Sequence, residues 1–332
     1  MKTIFFEIQP WEKEYIKSKL KSKGKDIAFT SEKLTVGNAA KYSSYDIVSV
    51  FIYSDVDAKV LEKLKKVKTV VTRSTGYDHI DVVECKKRGV KVYNVPSYGE
   101  NTVAEHAFAL ILTLSKKIFT SCKRTQKGNF SCDGLEGFDL MGKTIGIVGM
   151  GNIGKHVAKI ANGFGMKVVY YNRSRKKDFE KKYGMEFVSL NALLSKSDII
   201  TLHLPYMKET ANTINMKNIS KIKKGAYLIN TARGGLIDTT ALIKALDKGI
   251  LAGAGLDVLE EEENLKEEHQ RFDEKYTKKE FKNLKENEIL MKHENVVITP
   301  HNAFNTREAL QRILDTTIEN VKGNGKGNLV KV

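Results

Sequence analysis

This sequence predicts an α/β protein with two doubly wound parallel-sheet lobes, and three observations carry the prediction. Short apolar runs alternate with segments of helical periodicity, the pattern that lays helices over a parallel sheet. The runs fall into two series, one before residue 100 and one after residue 140, so two sheets are needed. The second series opens on Thr144-Ile145-Gly146-Ile147-Val148, then Gly149-Met150-Gly151-Asn152-Ile153-Gly154, then Lys155-His156-Val157-Ala158-Lys159-Ile160-Ala161: strand, glycine turn, helix. In a dinucleotide site one such glycine permits the tight turn, one lets the backbone approach the pyrophosphate, and one lets helix and strand pack closely. The helix then points free N–H groups and the positive end of its dipole at the phosphates. The expected lobes are therefore Rossmann/flavodoxin-like, with a cleft between them.

Taken in chain order, the first series predicts strands at 2–8, 26–30, 47–52, 68–72 and 91–94, with helices near 57–66 and 80–88. A long helix follows over 101–117. Its residues Val103, Ala104, Ala107, Phe108, Ala109, Leu110, Ile111 and Leu112 are more apolar than one buried face requires, which predicts a second partner and a homodimer built on this helix. The second series predicts strands at 144–149, 167–171, 198–203, 226–230, 252–257 and 296–299. The amphipathic segment 306–321 has no sheet of its own to finish, so it is expected to return to the first lobe. Residues 1–101 with 302–332 then form the substrate (catalytic) domain, and 102–301 the dinucleotide-binding Rossmann domain. The tract 260–294 is dense in Glu and Lys and reads as a solvated insertion carrying some helix. No role is read for 263–293.

At 332 residues and 41% hydrophobic the chain can bury two ordinary cores, and no apolar run approaches the roughly 20 residues of a membrane span. The start Met1-Lys2-Thr3-Ile4-Phe5-Phe6-Glu7 is interrupted by an acid and resembles a strand more than a signal peptide. A cytoplasmic protein is expected. Cys85, Cys122 and Cys132 are odd in number and lack metal-ligand spacing, which predicts reduced, structural thiols and no metal. The net charge of +16 raises nucleic-acid binding, but only nine of the 56 basic residues are Arg and the lysines are scattered, as in Lys17-Ser18-Lys19-Leu20-Lys21. Neither nucleic acid nor membrane is expected as a partner.

In open α/β sheets ligands sit beyond the C-terminal ends of the strands. Three such places stand out. Asn230-Thr231-Ala232-Arg233-Gly234-Gly235 follows one strand, and its guanidinium can grip a planar carboxylate bidentately. Gly255-Leu256-Asp257-Val258-Leu259-Glu260-Glu261-Glu262 follows the next, and Thr299-Pro300-His301-Asn302-Ala303-Phe304 follows Val296-Val297-Ile298. Singly, each has an ordinary reading as a surface arginine, a solvated acidic run or a structural histidine. Together, Arg, carboxylate and His at strand ends facing a nicotinamide suffice for carbonyl reduction.

Over essentially its full length the chain resembles the D-isomer-specific 2-hydroxyacid dehydrogenase family. The matching segments are Arg73-Ser74-Thr75-Gly76-Tyr77-Asp78, Asn94-Val95-Pro96-Ser97-Tyr98, Thr102-Val103-Ala104-Glu105-His106, the 149–154 loop, His203-Leu204-Pro205, and the three strand ends above. The resemblance implies that Arg233 binds the substrate carboxylate and polarises the carbonyl, that His301 is the acid/base, and that Glu262 pairs with His301 and keeps it protonated. It places Asp257 on the nicotinamide carboxamide and the substrate carboxylate at Thr75 and Gly76. Further implied cofactor contacts are Thr102, Gly149, Met150, Gly151, Asn152, Ile153, Gly154, Leu204, Pro205, Thr210, Thr231 and Ala232. The lactate branch matches best, because Tyr98 and Phe304 are similar to aromatics that shape that branch's pocket. An amide in place of Glu262 or a lysine in place of Thr75 would mark the formate and phosphite branches, and neither stands here; the long phosphoglycerate branch, with its C-terminal regulatory domain, is not expected.

One position departs from an NAD-type site. Where an acid would meet the ribose hydroxyls, eighteen residues after Gly154, stands Asn172, followed by Arg173, Ser174 and Arg175. Two positive charges and a hydroxyl predict that NADP(H) is preferred, with NAD(H) possible. The expected enzyme reduces a small 2-oxo acid, of the size of pyruvate, glyoxylate or hydroxypyruvate, to its D-2-hydroxy acid. The alternative is a nucleotide-sensing corepressor or scaffold of the same fold.

Overall fold

Ile4 and Phe5, neighbours in Thr3–Phe5 (β1), are both buried but join different core clusters, as alternate side chains of a strand covered on both faces must. That covering comes from helices. In the computed structural model, which describes residues 1–20, 26–260, 262, 278–323 and 328–330, β1 is followed by Pro10–Leu20 (α1), Ile27–Phe29 (β2), Ile47–Val50 (β3), Ala58–Lys63 (α2), Thr69–Thr72 (β4), Val82–Lys87 (α3) and Lys91–Tyr93 (β5). Asp57 and Asp81 cap α2 and α3 by accepting from the N–H of Val60 and Glu84. All five strands are parallel in the order β2-β1-β3-β4-β5, which reverses between β1 and β3.

The second sheet begins after the helices Glu100–Ser115 (α4) and Ile118–Thr125 (α5). Its elements are Thr144–Val148 (β6), Asn152–Gly163 (α6), Lys167–Tyr171 (β7), Lys177–Tyr183 (α7), Glu186–Phe187 (β8), Leu190–Lys196 (α8), Ile199–Leu202 (β9), Ala226–Asn230 (β10), Thr239–Asp247 (α9), Leu251–Leu256 (β11), Lys278–Lys292 (α10) and Val296–Ile298 (β12). The seven parallel strands run β12-β11-β10-β9-β6-β7-β8. The order reverses between β6 and β9, where Val148 pairs with Leu202, and this is the switch point at which such sheets bind ligands. Finally Arg307–Lys322 (α11) packs Leu314, Ile318 and Val321 against Phe5, Ile8, Ile16 and Val71 of the first sheet and α1.

Two units result, Met1–Tyr98 with Thr306–Val332 and Gly99–Asn305. The sequence reading set the crossings at 101/102 and 301/302; residues 302–305 instead stay with the second unit because the Asn302 and Ala303 amides are bonded to Asp257. Of the apolar residues of α4, Ala104, Ala107, Phe108, Leu110 and Ile111 are buried inside the second unit, while Val103 and Leu112 are half-buried and Ala109 is exposed. Two other expectations need correction. The insertion is not wholly solvated: Asn283, Asn287 and Leu290 of α10 are buried, while 263–277 lie outside the described residues. Only Cys85 is a buried thiol, pushed up to about 11 by burial, whereas Cys122 and Cys132 are exposed. Among the described residues no helix is long and apolar enough to cross a membrane.

Candidate active site

At the switch point the chain turns sharply. Gly149 stands at φ 103, and a Cβ there would lie 2.6 Å from the His203 carbonyl oxygen. A Cβ on Gly154 would collide with the Gly149 carbonyl, so only glycine lets α6 start this close to β6. At Gly151, the residue capping α6, a Cβ would meet nothing within 4 Å, which leaves open space over the helix N-terminus. Close packing at two glycines and an open backbone at the third fit a pyrophosphate there. The Thr231 hydroxyl, at the end of β10, is buried without a hydrogen-bond partner and adds a polar group to spare at the same sheet edge. Of the neighbouring expected contacts, Met150 and Thr102 have buried side chains, Leu204 is half-buried and Asn152 is exposed. Thr210 accepts from the Met207 amide (2.8 Å) and donates to the Pro205 carbonyl (2.6 Å), which closes the loop after β9.

Asn172 lies beside this turn, its Oδ1 accepting from the Met150 amide (3.2 Å) and its Nδ2 donating to the Ser174 carbonyl (2.8 Å). Arg173 and Ser174 are exposed. Arg175, however, is engaged by Glu180 through Nε (2.9 Å) and Nη2 (2.8 Å), and the guanidinium holds that carboxyl below its usual range. One of the two charges expected for a 2′-phosphate is thus neutralised within the protein.

Arg233 is placed by Asn230, a buried strand-end residue that closes the turn at both ends: Oδ1 accepts from Ala232 N (3.0 Å) and Nδ2 donates to the Arg233 carbonyl (2.8 Å). The half-buried guanidinium donates through Nη1 to the Ala232 carbonyl (2.8 Å). Gly234 is obligatory, because a Cβ would strike the Leu259 and Glu260 backbone.

His301 sits on a left-handed turn (φ 51) after β12. Its Nδ1 is bonded to Glu262 Oε1, while Glu262 Oε2 accepts from the Leu259 amide (3.3 Å). Nδ1 is therefore occupied, and Nε2 is the nitrogen left for chemistry. The turn is pinned by Asp257, fully buried, whose Oδ1 accepts from Thr299 Oγ1 (2.5 Å) and Asn302 N (3.0 Å) and whose Oδ2 accepts from Ala303 N (2.9 Å). Burial alone would raise this carboxyl, but hydrogen bonds from His106, Thr299 and the Ala303 amide outweigh it and hold it below its usual value. Asp257 is also the residue expected on the nicotinamide carboxamide; in this structure both its oxygens are engaged in holding the turn. Phe304, on the same turn, is half-buried.

In the first unit the 73–76 loop follows β4. Thr75 is exposed and donates to the Val95 carbonyl (2.7 Å), and Ser74 Oγ donates to the Gly76 carbonyl (2.6 Å). Tyr98 is half-buried, its carbonyl accepting from Arg312 Nε (2.5 Å). Beneath the loop lies Arg73, 1% exposed, donating to the carbonyls of Phe6 (2.8 Å) and Glu7 (3.1 Å). Glu7 in turn receives the amides of Phe51 (2.7 Å) and Tyr53 (2.8 Å) and the Ser54 hydroxyl (2.6 Å).

Sequence reasoning missed the positioning roles of Asn230, Thr299 and His106. A polar residue closing an Asx turn directly after an apolar strand was the available signal for Asn230. Thr299 and His106 lie in segments singled out in the sequence, but no local pattern shows that the two meet. Among the described residues no group of three or more His, Cys, Asp and Glu is arranged to hold a metal.

With the site in view, the chain can be set beside known proteins. The family profile described as D-isomer specific 2-hydroxyacid dehydrogenase, NAD binding domain, matches residues 108–303. D-lactate dehydrogenase kk1H of Curvularia clavata is 40% identical over 336 residues, covering 98% of this chain and 93% of that protein. Glyoxylate reductase of Thermococcus litoralis is 38% identical over 296 residues, covering 87% of this chain and 83% of that one. The crystal structure of an Aquifex aeolicus D-lactate dehydrogenase complexed with NAD and lactic acid superposes with a TM-score of 0.86 at 37% identity, over 99% of this chain and 98% of that one.

Proposed function

The chain belongs to the D-isomer-specific 2-hydroxyacid dehydrogenase family, and on that premise we propose that it reduces a short 2-oxo acid to the D-2-hydroxy acid. It is an oxidoreductase with an NAD-binding Rossmann domain. The observation that carries the reading is the His301–Glu262 pair on a turn anchored by Asp257, at the same sheet edge as the glycine loop. A reduced nicotinamide supplies the hydride when bound. His301 delivers the proton to the carbonyl oxygen from Nε2, since Nδ1 is held by Glu262, and Glu262 stabilises the imidazolium that gives it up. Arg233 grips the substrate carboxylate, with its reach set by the Asn230 turn. Thr75, Gly76, Tyr98 and Phe304 keep the substrate-contacting roles that the resemblance gives them, and pyruvate and glyoxylate are the proposed size class.

Cofactor preference is the finer part of the proposal. NAD(H) is accepted, and NADP(H) is favoured through Arg173 and Ser174, without Arg175. One exposed charge supports a preference of about tenfold, roughly 1.4 kcal/mol. A homodimer in the cytoplasm completes the proposal, with α4 and the exposed Ile118, Phe119, Phe130 and Met141 as the apolar surface that serves it. The deciding assay follows oxidation of NADH and NADPH with a panel of 2-oxo acids, for the native protein and for Asn172→Asp and Arg173→Ala. Steady turnover with pyruvate or glyoxylate supports the enzyme, and equal efficiency with NADH removes the NADP(H) preference alone. Nucleotide binding without turnover on any 2-oxo acid points to the nucleotide-sensing alternative.

A further inference from the structure

We propose that His106, on α4, is a positioning residue for His301, acting through Thr299 and Asp257; the proposal rests on the dehydrogenase reading above. Around His106 the inward positions of α4 are apolar or small, Ala104, Ala107, Phe108, Leu110 and Ile111. His106 instead sets Nε2 3.0 Å from Thr299 Oγ1 and 3.4 Å from Asp257 Oδ1.

Proton accounting fixes the direction of these bonds. Ionised Asp257 only accepts, so the single hydroxyl proton of Thr299 goes to Oδ1. Thr299 Oγ1 must then accept from His106, and Nε2 carries a proton. His106, Thr299, Asn302 and Ala303 thus all direct donors at one buried cluster. Two of the four are the amides immediately after His301, whose own backbone is held in the strained left-handed region. Such a conformation persists only while its surroundings over-determine it. Removing the His106 donor leaves Thr299 and Asp257 one hydrogen bond short, and the turn that aims His301 at substrate and at Glu262 relaxes. The charged or titratable groups of this cluster are His106 from α4, Asp257 and Glu262 from the segment after β11, and His301 itself.

The test compares His106→Leu, which removes the donor, with His106→Gln, which returns an N–H near the Nε2 position. Thermal unfolding and NADH affinity are measured for each, together with kcat and KM for the best 2-oxo acid. A downfield proton resonance of the His301–Glu262 bond, assigned by its loss in Glu262→Gln, is read without cofactor. His106→Leu is expected to keep its fold and NADH affinity and to hold KM within about twofold, while kcat falls roughly tenfold and the resonance broadens away. His106→Gln should recover most of both. An unchanged kcat and resonance in His106→Leu overturns the proposal, as does a loss that tracks unfolding and is not recovered by Gln. If the native protein turns over no 2-oxo acid, the dehydrogenase reading fails by itself. The resonance then decides: retained in His106→Leu it sinks the positioning role, and lost there but restored by Gln it supports it.

Discussion

In the proposed reaction His301 works as acid/base through Nε2, because Glu262 occupies Nδ1. Removing a positioned general acid costs about 10² to 10⁴ in rate, so His301→Ala and Arg233→Ala should each lose most turnover. Both lie outside the glycine loop, and NADH titration of the two variants should give a near-native Kd. Near-native turnover in either would undo the assignment. His203 makes a different residue-scale prediction. It is buried after β9, with Nε2 on Thr201 Oγ1 (2.8 Å) and Nδ1 unpartnered, and burial lowers its pKa from 6.5 to about 3. Between those values the unfolded chain binds a proton that the folded chain refuses, so stability rises with pH there and is lost as pH falls from 6.5 towards 3. One proton corresponds to about 1.4 kcal/mol per pH unit. Urea unfolding between about pH 6 and 4.5 should show His203→Gln losing stability less steeply by roughly that amount, and equal slopes would contradict the neutral buried imidazole.

The helix α6 works as an element because its first turn is pressed against β6. Gly154 sets that distance: a methyl group there collides with the Gly149 carbonyl, and the helix must move away. Gly154→Ala is expected to destabilise the protein by about 1 to 3 kcal/mol and to weaken NADH binding at least tenfold, since the N–H groups leave the phosphate position. Isothermal titration and denaturant melts check both arms, and native affinity in that variant would show that the loop does not carry the phosphates. In the other unit, Arg73 performs the comparable task for β4. Burial lowers its pKa, with Glu12 and Glu7 opposing the shift, and its guanidinium ties the end of β1 beneath the 73–76 loop. Arg73→Met leaves two carbonyls and those acids without it. A loss of about 3 to 5 kcal/mol in the first unit is expected.

At the scale of the whole molecule each unit has its own sheet and its own core. Leu228, Ala254 and Ile147 belong to the second, and Ile4, Val48 and Val70 to the first. A nucleotide held by the glycine loop therefore stabilises the second unit directly. At about 100 times its Kd, NADH should add roughly 2.7 kcal/mol there. Hydrogen exchange should show the added protection in Gly99–Asn305, strongest around β6 and α6. Equal protection throughout Met1–Tyr98 would show that the units unfold as one.

What the sequence determined by itself is what lies close along the chain. Strand and helix periods, the glycine turn between β6 and α6, and the strand ends carrying Arg233, Glu262 and His301 are local patterns, each set by a few consecutive residues and the sterics of their backbone. The tertiary structure decided everything that depends on which distant groups meet. Glu180 is the partner that the fold sets beside Arg175. That the amides of Asn302 and Ala303 meet on Asp257 is equally invisible in its own segment. Which side of α4 lies on α6 is likewise set by the fold. His106 lies in a family-like segment, but nothing in that segment says that it meets Thr299, 193 residues away. Hydrogen bonds and burial are pairwise and saturable, so a residue's role follows from its partners, and those are chosen by the fold.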